Sequence, residues 1–192
     1  MSWQVADGKE VEVHWAEKGA RKFRRGLWAA DGGHAATFAV ICYNARMKLL
    51  FVCHGNICRS PMAEFVMKDM LAKAGRDDVV VESAALHTDE LGNDIHYGTK
   101  RELSRHGIPF SPRRAWLLSA SKLREYDLAV GMDGANMHDL RRLAGASERP
   151  RLCRLLDFAG IDRDVADPWY TGDFESTYAD VVAGCSALLK EV

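Results

Sequence analysis

The sequence predicts an α/β domain in which a parallel sheet carries helices on both faces. Three observations lead there. Short apolar runs of strand length alternate with segments of helical period, no hairpin signal joins one run to the next, and the first run ends in a tight loop that opens into a helix. Strands separated by helices pair in parallel, and in such sheets ligands gather at the carboxyl ends of strands, at a topological switch point.

The first strand is the apolar run Lys48 to Val52. After the loop that follows it, the first helix runs from Pro61 to about Ala74, with Ala63, Met67, Met70 and Ala74 on one face and Gly75 as its stop. Pro61 suits the first helical position, where a missing N–H costs nothing. Val79-Val80-Val81 is the second strand, ending at Glu82-Ser83, and a loop from Ser83 through Gly92-Asn93 leads to a helix over Gly98 to His106. Residues from Leu117 to Tyr126 read as a short helix and Leu128 to Met132 as the third strand. Asp133 is the expected N-cap of a helix over Gly134 to Leu143. Arg151 to Leu155 is the fourth strand, and Phe174 to Glu191 contains the last helix.

Met1 to Arg46 differs from all this. It holds a basic cluster (Lys18, Arg21, Lys22, Arg24, Arg25) and a short apolar run from Ala35 to Cys42. That pairing could be a basic arm or an export signal, but the run is short. We read residues 1–46 as a non-catalytic extension and residues 47–192 as the domain. A chain of 192 residues suits one domain plus an appendage. With 26 Lys and Arg against 27 Asp and Glu, the chain has no overall pull towards nucleic acid or membrane, and no apolar run is long enough to cross a bilayer. Five cysteines, an odd number without a disulfide framework, suit a reducing compartment, which makes the expected location the cytoplasm.

Chemistry concentrates in Cys53-His54-Gly55-Asn56-Ile57-Cys58-Arg59-Ser60-Pro61. Gly55 and Asn56 tolerate the left-handed backbone of a tight cradle, in which successive N–H groups turn inward and form an anion nest. The following helix adds its positive end, with Ser60 as a candidate N-cap, and Arg59 adds a planar fork of donors. A thiol in that field is favoured as thiolate. Downstream, Asp167-Pro168-Trp169-Tyr170 offers a carboxylate held extended before proline and two aromatics that could wall a slot. By spacing alone it reads equally as a surface turn followed by an aromatic pair in the core. No histidine, cysteine and carboxylate set has metal-ligand spacing, so no metal is suggested.

The string CHGNICRSP resembles the signature of the low-molecular-weight protein tyrosine phosphatases, and the likeness runs from about Met47 to the C-terminus. It implies a four-stranded parallel sheet of flavodoxin-like order. It also implies hydrolysis of phosphotyrosine through a cysteinyl-phosphate intermediate, with no metal or cofactor. Cys53 would be the nucleophile, Arg59 and the loop from His54 through Gly55, Asn56, Ile57 and Cys58 to Ser60 would hold phosphate, and Asp167 would be general acid and base. Trp169 replaces one tyrosine of the family's acid loop, and Tyr170 keeps the other. The Ser60 hydroxyl would donate to the Cys53 thiolate, and Ser83 would brace Asn56. The implied partner is a phosphotyrosine-containing protein, with a tyrosine kinase among the candidates. Cys58 is either a buried packing residue or, by the resemblance, the thiol that caps oxidised Cys53 as a disulfide.

The chain departs from the family at three places. His54 stands where an aliphatic or small residue is usual, and is either a rim residue favouring acidic substrates or a tolerated exposed side chain. Asp89 aligns where an aromatic often lines the slot. The histidine that helps brace Asn56 is expected to be missing or displaced, because the matching stretch is Ser111-Pro112-Arg113-Arg114. Three other readings share the cradle. Arsenate reductases need a cysteine relay that this chain does not spell. Protein-arginine phosphatases carry threonine where Ile57 stands and lack the double aromatic. A non-catalytic phosphate-binding module would be expected had nucleophile, arginine or acid been lost.

Overall fold

The computed structural model describes residues 46–147 and 150–192. The basic cluster, the apolar run to Cys42 and the rest of the extension through residue 45 lie outside the described residues. Residues from Arg46 to Val192 form one compact unit. Its four strands are β1 (Met47–Cys53), β2 (Val79–Ala85), β3 (Leu128–Gly131) and β4 (Arg151–Arg154), all parallel and ordered β2-β1-β3-β4. This is the flavodoxin-like order, with its switch point between β1 and β3, where β1 delivers Cys53.

β1 explains why the layers sit where they do. Leu49, Phe51 and Cys53 face one apolar cluster, while Leu50 and Val52 face another, the alternation a strand buried on both sides must show. Leu49, Leu50, Phe51 and Val52 have no exposed surface, and such burial contributes roughly 1.5 to 3 kcal/mol per large side chain. The first cluster takes α1 (Arg59–Lys73) and α6 (Phe174–Leu188). The second takes Met137 and Leu140 of α4 (Gly134–Ala144) with Leu123 of the one-turn α3 (Ala120–Leu123). α2 (Tyr97–Arg105) packs against α1 and α6. There a Cβ on Gly98 would meet the Phe174 ring at 2.5 Å, so only glycine allows that approach.

Several boundaries moved. α1 begins at Arg59, so Pro61 is its third residue, which is still harmless because the opening N–H groups of a helix have no intrahelical acceptor. β2 runs on to Ala85, since β1 pairs it all the way to Cys53. The expected helix from Leu117 to Tyr126 shrinks to α3, because Leu117 makes an isolated parallel bridge to Ala85 instead. A 3-10 turn over Leu155–Ala159 and a one-turn α5 over Pro168–Thr171 were not expected from the sequence. α6 ends at Leu188, short of Glu191. Asp133 caps α4 as expected, accepting from Asn136 N–H at 2.6 Å. Among the described residues no helix is long and apolar enough to cross a membrane.

Candidate active site

The loop closes around the Cys53 sulfur. Sγ accepts from the Asn56 amide at 3.3 Å and lies 3.0 Å from Ser60 Oγ. Asn56 is left-handed (φ 58°), alone among non-glycine residues in the described part of the chain. Gly55 is not left-handed. Glycine is needed there for a different reason, because a Cβ would sit 2.7 Å from Glu90 Cγ. Nor is Ser60 the N-cap. That position falls to Cys58, which offers no side-chain cap, so the first N–H groups of α1 and its positive end are left to the loop.

Ser60 serves the sulfur instead. Its hydroxyl accepts from Asn56 Nδ2 at 2.8 Å, which leaves its own proton to donate to Sγ. Asn56 Nδ2 also donates to Ser83 Oγ at 2.8 Å. The expected gap in the Asn56 brace is filled by Arg113, whose Nη2 donates to Asn56 Oδ1 and to the Ser83 carbonyl, both at 2.9 Å. Because a guanidinium can only donate, it also fixes which end of the Asn56 amide is oxygen. Arg113 Nη1 donates to Ser83 Oγ at 2.6 Å and to Glu64, and Glu64 in turn accepts from Ser83 Oγ and from Lys68. All four Nη protons of Arg113 are thereby used.

Arg59 sits on the other side of the cradle and is 3 % exposed. Its Nη1 donates to Asp133 Oδ2 at 2.5 Å and to the Val165 carbonyl at 3.3 Å, and its Nη2 donates to Asp167 Oδ2 at 2.5 Å. That leaves the Nε–H and one Nη2–H without a protein acceptor, donors available to the oxygens of a phosphate. Burial works against the charge, but Cys53, Asp167 and the Asp133 hydrogen bond outweigh it and hold the Arg59 pKa above its usual value. Asp167 caps α5 through Trp169 N–H at 3.1 Å, with Pro168 as first helical residue. Trp169 and Tyr170 are 55 % and 85 % exposed, so they are not core residues but stand at the surface beside the acid.

His96 ties this acid loop to the cradle. Its N–H donates to the Ile57 carbonyl at 2.9 Å, its ring packs edge-on to Trp169 at 5.9 Å, and its Nδ1 caps α2 by accepting from Gly98 N–H. Burial pushes the His96 pKa down, partly offset by Glu90, which suits the neutral acceptor the cap needs. Cys58 is buried in the same loop, and burial together with the neighbouring Cys53 pushes its thiol pKa well up. Cys53, Cys58, Cys153 and Cys185 are all free thiols.

His54 and Asp89, the two departures at the rim, meet: His54 Nε2 lies 2.9 Å from Asp89 Oδ2, and the His54 ring stacks on His87 at 4.1 Å. Four contributors escaped the sequence reading: Asp133 as second carboxylate to Arg59, and Glu64, Arg113 and His96. Of these, Asp133 had a signal, since it follows β3 at the carboxyl end of a strand flanking the switch point.

Comparison with known proteins finds relatives of the whole domain. The profile of the family described as low molecular weight phosphotyrosine protein phosphatase matches residues 48–192. The low molecular weight protein-tyrosine-phosphatase YfkJ of Bacillus subtilis is 39 % identical over 149 residues, covering 76 % of this chain and 96 % of its own. Its crystal structure superposes with a TM-score of 0.73, covering 76 % of this chain and 94 % of that one. The low molecular weight protein-tyrosine-phosphatase PtpA of Staphylococcus aureus (strain MRSA252) is 36 % identical over 143 residues, covering 74 % of this chain and 91 % of its own.

Proposed function

The chain belongs to the low molecular weight phosphotyrosine protein phosphatase family, and from that premise we propose that it hydrolyses phosphotyrosine in proteins through a cysteinyl-phosphate intermediate. The observation that carries the proposal is the Arg59 guanidinium, buried beside the Cys53 loop and bonded to Asp167. One side chain thus connects a candidate nucleophile, an anion fork and a candidate acid.

The phosphate oxygens take the loop N–H groups and the Nε–H and remaining Nη2–H of Arg59. Cys53 Sγ, as thiolate, attacks phosphorus in line with the phenolic oxygen. The P–O bond breaks, its electron pair goes to that oxygen, and the oxygen takes the proton of Asp167. Asp167, now ionised, removes a proton from water as the water attacks phosphorus. The S–P bond breaks, its electron pair returns to sulfur, and inorganic phosphate leaves. Ser60 steadies the sulfur at both ends of the cycle, and the cradle amides stabilise the charge on the equatorial oxygens.

Ile57 and the exposed Trp169-Tyr170 pair support an aryl phosphate over phosphoarginine. Among the described residues, the two thiols away from the loop do not support a redox relay. Cys185 is fully buried, which pushes its thiol pKa well up, and Cys153 lies on the edge strand β4. The reading places all the machinery in residues 47–192, takes a phosphotyrosine protein such as a tyrosine kinase as partner, and assigns the enzyme to the cytoplasm, where a working thiol stays reduced.

Turnover of matched phosphotyrosyl, phosphoseryl and phosphoarginyl peptides tests the proposal. Hydrolysis of the phosphotyrosyl peptide alone, abolished by Cys53→Ser, is the expected result. Preference for phosphoarginine, or arsenate-dependent thiol oxidation, would replace this reading with one of its rivals.

A further inference from the structure

We propose that His54, His87 and Asp89 form a binding site for a divalent transition cation, zinc by its ligand chemistry, at the mouth of the cradle. They are the one set of three histidine, cysteine or carboxylate ligands, among the described residues, whose donor atoms lie within 4.8 Å of one another. The sequence concealed the set, because His54 stands far from His87 and Asp89. Pairing of β1 with β2 through Cys53 and Ala85 sets His54 beside the loop that carries the other two.

The backbone holds the ligands at fixed spacing. The His54 carbonyl accepts from Leu86 N–H at 3.1 Å and from His87 N–H at 3.0 Å, so the two loops are stitched together at the ligands themselves. His87 carries the outer support that metal-bound imidazoles usually have. Its Nε2 lies 2.9 Å from Asp139 Oδ2, which fixes the ring and leaves Nδ1 to coordinate. Asp139 is itself held by Arg142 at 3.2 Å. His54 Nε2 and Asp89 Oδ2 stand 2.9 Å apart, close to the edge of roughly 3.4 Å expected between ligands of tetrahedral zinc. The His54 and His87 rings are stacked at 4.1 Å with their planes 11° apart, so the His54 ring must leave that stack for both in-plane lone pairs to meet one ion. Its side chain and that of Asp89 are 51 % and 65 % exposed, which gives both room to turn while His87 stays anchored.

Two imidazoles and a carboxylate suit zinc and its neighbours, whereas calcium or magnesium would call for an all-oxygen set. Three protein ligands leave a fourth position for water, the pattern of an exchangeable site rather than a closed structural one. The ion would clip the residue after Cys53 to the loop at 87–89 and add positive charge where Asp89 and Glu90 are negative. The site adjoins the phosphate cradle, but ion binding by these three side chains does not require phosphate turnover.

The test uses the full-length protein, reduced and stripped of metal with a chelator, then titrated with zinc ion alone by calorimetry and with cobalt(II) by visible absorption. One ion per chain is expected, with at least a tenfold loss of affinity in each of His54→Asn, His87→Asn and Asp89→Asn. Binding by Cys53→Ser should match the parent within twofold, and the cobalt spectrum should lack a thiolate charge-transfer band. Unchanged melting temperatures would show that the asparagine variants are folded. Absence of binding, binding that survives all three changes, or binding lost only in Cys53→Ser would each overturn the proposal.

Discussion

Two polar networks support the Cys53 loop, and they are built on opposite principles. Behind the loop, Asn56, Ser83, Glu64 and Arg113 use one another up: both Asn56 Nδ2 protons and all four Arg113 Nη protons end on protein acceptors. In front of it, Asp133 and Asp167 hold Arg59 by its Nη atoms and leave its Nε–H and one Nη2–H without a protein acceptor. A network whose Nη and Nδ2 protons are all taken by the protein fixes shape, and here it fixes the left-handed turn at Asn56. An unsaturated one can bind and react. Ser60 Oγ belongs to both, accepting from Asn56 and donating to Cys53. Shape and reactivity are therefore coupled through a single hydroxyl.

The comparison breaks first at its reactive side. Cys53→Ser should lower kcat by roughly 10⁴-fold or more while the melting temperature stays near the parent's, which steady-state kinetics and a thermal melt would check. Arg59→Lys comes next. A point charge cannot reproduce the fork, so kcat/KM for an aryl phosphate should fall by about 10² to 10³. Asp167→Asn should cost about 10² in kcat, less with leaving groups of low pKa that need no proton, a trend readable across a series of substituted phenyl phosphates.

The structural side should fail differently. Arg113→Met leaves Glu64 buried with Lys68 as its remaining cation, so denaturant unfolding should show a loss of about 2 to 3 kcal/mol while kcat falls less than tenfold. A hundredfold loss of kcat at unchanged stability would mean that the two networks are one. The smallest effect concerns Asp94, which accepts from Lys100 and from the Arg113 N–H and so anchors the approach of Arg113. The Lys100 hydrogen bond, followed by the Arg113 and Ile95 amides, holds the Asp94 pKa down at about 2. A lowered folded pKa gives stability that is present above the unfolded value near 4 and lost as the pH falls towards 2. Asp94→Asn should therefore lower the melting temperature slightly at pH 7, by an amount that shrinks through that window.

The reactive network was far more legible in the sequence than the structural one. Cys53 and Arg59 lie in one short string with the glycine and asparagine a tight loop needs, whereas Asp167, ambiguous by spacing alone, was singled out by the resemblance to the family's acid loop. The sheet was legible too, because β1 is an uninterrupted apolar run and every later strand is separated from it by a helix. Arg113 was hidden for a physical reason. Its function depends on arriving beside Asn56 from 57 residues away along an irregular segment, and an arginine between prolines and arginines reads as solvated surface. Gly55 was placed correctly for the wrong reason, since sequence cannot tell a glycine needed for its φ from one needed for a close neighbour such as Glu90. His54 and Asp89 looked like separate departures until strand pairing brought them into contact.

Rapid acid quench of Asp167→Asn during turnover of an aryl phosphate, followed by mass spectrometry of the peptide holding Cys53, addresses the central claim most directly. A phosphoryl group on that cysteine, absent in Cys53→Ser, is the predicted result. An unmodified Cys53 throughout a turnover that releases phosphate would contradict the account.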